Sequence, residues 1–60
     1  SKDEWTVYGL LKEEIELGRG EIDLKTGFEK SKTLRILNSL VDKNVIQRLG
    51  SGARVTYKLK

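Results

Sequence analysis

Val7, Leu11 and Ile15 recur every fourth residue, with Tyr8 and Leu10 beside them, so residues 3–16 predict a helix with one apolar stripe. Ser1-Lys2-Asp3-Glu4 has the form of a capping box, in which a hydroxyl and a carboxylate each satisfy an orphan amide of the first turn, and Asp3 is an alternative cap. Gly9 interrupts the helix at a cost of about 1 kcal/mol relative to alanine, which is expected where a neighbouring element packs close. Gly18-Arg19-Gly20 ends it, and residues 21–26 predict a second, short helix. Gly27 suits the left-handed residue that closes such a helix, after which Phe28 points back into the core. Over residues 30–43 a longer helix is predicted, with Thr33, Ile36, Leu37, Leu40 and Val41 on one arc and Ser31, Lys32, Arg35, Asn38 and Ser39 on the other. Asn44 tolerates the left-handed conformation and ends that helix. Residues 45–49 and 54–60 then read as strands around Gly50-Ser51-Gly52, with Val55, Tyr57 and Leu59 alternating against Thr56, Lys58 and Lys60.

Three helices followed by a two-stranded hairpin make an α+β domain that takes up all of residues 1–60, with no repeat, low-complexity tract or linker. At 60 residues it lies near the size at which only about 60% of the unfolded surface can be buried, so little of the sequence is spare. No segment approaches the ~18 apolar residues of a membrane span, which predicts a soluble chain. The absence of cysteine fits a reducing compartment, and an intracellular location, in cytoplasm, nucleoid or nucleus, is expected. Opening on Ser1-Lys2 without Met, the chain reads as a piece of a longer protein. Charge adds more than composition does. Residues 1–29 carry eight acids against four bases, a net −4, whereas residues 30–60 carry eight bases against Asp42 alone, a net +7. Such asymmetry suits one face turned to a polyanion and another turned away, though an unevenly solvated surface would carry it too.

Thr26-Gly27-Phe28, Lys30-Ser31, Leu37, Leu40, Asn44-Val45-Ile46 and the glycine-centred hairpin ending in Tyr57 together resemble the winged helix-turn-helix family. The resemblance is close over residues 21–59 and looser over the first helix. It implies a third helix that enters the major groove of DNA and a hairpin, the wing, that touches backbone or minor groove. It is more specific for fold than for function, because the fold also serves protein contacts and single-strand handling. Asp23 stands where the family usually has a small apolar residue, which implies a rotated, shortened or irregular second helix. Thr33 stands where a branched apolar residue is common, and its methyl imitates one in part. Leu34 either completes the core or hairpin packing, or meets a thymine methyl or a protein partner.

The exposed arc has its own chemistry. Arg35 can offer two parallel donors to guanine, Asn38 can read adenine, and Lys30, Ser31 and Lys32 near the helix start suit phosphates. Arg48, Ser51 and Arg54 are the wing's contacts, with Gly50 and Gly52 allowing a tight turn. Each of these side chains is equally at home as a solvated surface residue. Convergence of the basic arc with a basic hairpin makes double-stranded DNA the expected partner, for a transcription regulator or a replication protein such as a helicase or initiator. Other domains of a longer parent are further partners. The rival is a winged-helix protein-interaction module that meets no nucleic acid. Without His or Cys the usual general base, metal ligands and thiol nucleophile are missing, so no enzyme activity, cofactor or metal is expected. Glu13 and Glu14 diverge as solvated carboxylates do. Trp5 and Tyr8 read as core or core-edge aromatics, with a base-stacking platform as the alternative.

Overall fold

The computed structural model describes all sixty residues. The elements run α1 (Lys2–Glu14), β1 (Glu16–Gly18), α2 (Arg19–Thr26), α3 (Lys30–Asp42), β2 (Ile46–Leu49), a 3-10 turn (Gly52–Arg54) and β3 (Thr56–Leu59). The three strands form one antiparallel sheet in the order β1-β3-β2. Helices cover one face of it. Leu17, Tyr57 and Ile46 from the three strands meet Val7, Leu11, Ile22, Leu37 and Leu40 from the helices in a single core. This is an α+β winged-helix arrangement, with α2 and α3 joined by a three-residue turn and the β2–β3 hairpin as the wing. No helix is long and apolar enough to cross a membrane.

Local chemistry explains most of the boundaries. At the start of α1 the Ser1 hydroxyl accepts from the Glu4 amide at 3.3 Å and the Glu4 carboxylate accepts from the Ser1 nitrogen at 3.0 Å, so the capping box is formed. Gly27 closes α2 in the left-handed region at φ 79°. The Thr26 hydroxyl staples that turn, donating to the Ile22 carbonyl at 2.8 Å and accepting from the Phe28 amide at 3.1 Å. Asn44, also left-handed at φ 64°, turns the chain from α3 into β2.

The structure corrects the sequence expectation in several places. Residues 16–18 are a third strand, and the sheet is therefore three-stranded where a two-stranded hairpin was expected. Three residues with one buried member, Leu17, are too few to show a period of two. The reversal that starts β1 falls on Ile15, which adopts φ 72° and ψ −58°, a conformation that neither its β-branch nor a glycine signal announces. α1 accordingly ends at Glu14. α2 begins two residues earlier than expected because Glu21 reaches back to the Gly18 amide at 3.0 Å, and Gly20 is carried inside the helix. β3 starts at Thr56 because residues 52–54 wind into the 3-10 turn. α2 is a regular helix despite Asp23, whose carboxylate is tied to the Arg19 guanidinium one turn back, with one oxygen buried and unpartnered. Thr33 is fully buried and its hydroxyl has no partner, so only the methyl serves the core. Gly9 has no close neighbour: a Cβ there would meet nothing within 4 Å, so packing does not explain it. Trp5 is not a core residue and stands 70% exposed.

Candidate nucleic-acid interface

α3 presents three faces with different chemistry. Thr33, Ile36, Leu37 and Leu40 are buried in the core. The face turned to α1 carries Lys32, Ser39 and Lys43, and all three are engaged. Lys32 pairs with Asp3 at 3.1 Å and lies 4.4 Å from the centre of the Phe28 ring. Ser39 donates to the Glu4 carboxylate at 2.6 Å, and the Lys43 ammonium bonds the same carboxylate at 2.9 and 3.1 Å. These donors hold the Glu4 carboxyl at a pKa of about 2, against an ordinary 4.5, the Ser39 hydroxyl contributing most, then Lys43, then the amino terminus.

The third face is outward. Ser31, Arg35 and Asn38 stand at i, i+4 and i+7 and are exposed, with Lys30 exposed beside them in the first turn. None of the four makes a side-chain hydrogen bond or ion pair within the chain. Asp42 continues the same row one turn beyond Asn38, so the row is basic at its start and acidic at its end. Sequence reading counts that acid without placing it on this row, although its spacing of seven from Arg35 carries the signal. Leu34 is half-buried and lies outside the set packed on the core, so it does not complete the core.

In the wing, register fixes the directions. Arg48 pairs with the buried Tyr57 across β2 and β3, two residues from the buried Ile46, so Arg48 shares the sheet face turned toward the helices. It is nonetheless exposed and therefore overhangs the rim of the core. Ser51 and Arg54 are exposed in the connection. Gly50 holds φ 81°, and a Cβ on it would lie 2.8 Å from the Arg54 carbonyl oxygen, so the tight closure that presents Arg54 requires glycine.

Seven of the eight residues expected at a nucleic-acid surface, Lys30, Ser31, Arg35, Asn38, Arg48, Ser51 and Arg54, are thus exposed. The eighth, Lys32, faces α1 and its charge is answered by Asp3. Of the chain's four arginines, the one in the acidic half, Arg19, is paired with Asp23, and the three in the basic half have no carboxylate partner. Comparison with family models, with curated proteins and with solved structures returns no match for this chain.

Proposed function

We propose that this domain binds double-stranded DNA, with the outward face of α3 in the major groove and the wing against backbone or minor groove. The supporting observation is the segregation of its arginines: Arg35, Arg48 and Arg54 are exposed and unpaired on α3 and the hairpin that follows it, while Arg19 is neutralised. A folded chain that leaves three guanidiniums unanswered while engaging lysines elsewhere has charge available for a polyanion. Arg35 carries the planar fork that fits guanine O6 and N7, and Asn38, three residues on, fits adenine N6 and N7. Lys30, Ser31, Ser51, Arg48 and Arg54 supply backbone contacts. Asp42 limits insertion to the first two turns of α3. The parent protein under this reading is a transcription regulator or a replication protein such as a helicase or initiator, acting where DNA is, in cytoplasm, nucleoid or nucleus.

Amide NMR during titration with a short mixed-sequence duplex, and with its separate strands, tests the reading. Shifts centred on residues 30–38 and 48–54 with the duplex support it. Shifts only with single strands make the domain a single-strand binder, and no shifts with either remove nucleic acid altogether. In that last case the protein-interaction reading takes the place of the DNA reading.

A further inference from the structure

A second stripe runs along α1, apart from the core stripe of Val7 and Leu11. Trp5, Tyr8, Gly9 and Lys12 stand at i, i+3, i+4 and i+7, so they share one helix face. The exposed Trp5 is held edge-on by Tyr8, with ring centres 5.7 Å apart and planes at 82°. Beside them opens a groove of about 470 Å³ whose apolar lining is these two aromatics with Leu40 and Val45. Gly9 is the telling member. It sits in the middle of a helix at ordinary φ, in open space, where glycine weakens the helix relative to alanine. Nothing within one copy of the chain accounts for it. Lys12 is exposed and forms no ion pair.

We propose that this stripe is the contact of a weak homodimer, in which α1 packs antiparallel against α1 of a second copy about a two-fold axis between Tyr8 and Gly9. That register places residue n of one helix opposite residue 17 − n of the other. Trp5 then faces Lys12 of the second copy, and Lys12 faces its Trp5, giving two ammonium-on-indole contacts. Each Tyr8 faces the open notch at the other Gly9. Large meets small and cation meets aromatic, twice, as the self-complementarity of an isologous contact requires. A parallel pairing would instead set Lys12 on Lys12 and Trp5 on Trp5, which is why the second copy runs antiparallel. One 13-residue helix offers less than the roughly 800 Å² per partner of a standard stable interface, which is why the contact is proposed as a weak one. The contact does not use Ser31, Arg35 or Asn38 and stands independently of the DNA reading.

Trp5 is the only tryptophan, so its emission reports this face directly. Sedimentation velocity and fluorescence from micromolar to millimolar protein should show a monomer giving way to a dimer, with a blue shift as Trp5 leaves water. Gly9→Gln places a good helix former into open space, so its melting temperature should equal or exceed that of the parent while both the dimer and the blue shift disappear. Lys12→Gln should weaken association several-fold, and Lys12→Arg should restore most of it. A monomer across the whole range overturns the proposal. So does a dimer that persists unchanged in both Gly9→Gln and Lys12→Gln, or assembly that continues past the dimer.

Discussion

The two polar faces of α3 are built from the same residue types and behave as opposites. Toward α1, Lys32, Ser39 and Lys43 are matched by Asp3 and Glu4, and their hydrogen-bonding capacity is used to dock one helix on another. On the outward face Lys30, Ser31, Arg35 and Asn38 have no intramolecular partner. A count of basic residues treats Lys32 and Arg35 alike, but only the pairing of each charge in the folded chain says which is free for a ligand. The acidic N-terminal half therefore has a structural task, since α1 supplies the counter-charges for one side of α3 and leaves the other side bare.

Four measurements can break or sharpen that contrast. The largest effect should come from salt. If Lys30, Arg48 and Arg54 each neutralise one phosphate, the slope of about −0.9 per contact implies that affinity for duplex DNA falls roughly fortyfold between about 50 and 200 mM salt. Binding indifferent to salt would mean that the bare charges are not used. Next in size is Arg35→Lys, which keeps the charge and loses the planar fork. It should cost about 1–3 kcal/mol at a preferred site and almost nothing on scrambled duplex. Equal losses on both duplexes in a competition assay would reduce Arg35 to a backbone contact.

The docked face is probed by acid and by mutation. The Glu4 carboxyl is depressed in the folded chain, so its stabilising contribution is complete above its unfolded value of 4.5 and is lost as pH falls from there through about 2. Glu4→Gln should flatten that part of the stability curve, followed by thermal melts from neutral pH downward. An unchanged acid limb would mean that the Ser39 and Lys43 bonds do not hold in solution. The smallest effect belongs to Lys32→Ala. It breaks a half-exposed ion pair and the ammonium contact on the Phe28 ring, so it should lower stability by about 1 kcal/mol and leave DNA affinity within twofold, measured by melts and by anisotropy. A loss as large as that at Arg35 would show that Lys32 leaves Asp3 to meet the phosphates, and the contrast between the two faces would fail.

How far the sequence could be read depended on whether a feature carries its own chemistry. Gly27, Asn44 and the Ser1–Glu4 box were legible because each is a residue type with a backbone conformation or hydrogen bond attached to it. The core arc of α3 was legible from its period. β1 was hidden because its turn rests on Ile15, a β-branched residue held at positive φ, and because three residues make no pattern. The outward row of the candidate site was legible from helical spacing, but the pairing of Lys32 with Asp3 was not. Separating Lys32 from Arg35 needs the direction from which α1 approaches, and nothing local to residues 30–43 encodes that direction. The exposure of Trp5 was missed for a similar reason: hydrophobicity predicts that a ring wants cover and does not say that the same chain provides it.

The order β1-β3-β2 also governs when the domain can form. The central strand is the last to be made: β3 hydrogen-bonds β1, some forty residues upstream, on one side and β2 on the other. Until residues 56–59 have left the ribosome, β1 has no partner, Tyr57 is missing from the core and the two halves of the sheet remain unjoined. Folding during synthesis therefore waits for the end of this stretch, and a nascent chain stalled before Thr56 presents helices with an uncovered apolar face to whatever chaperone or protease is near.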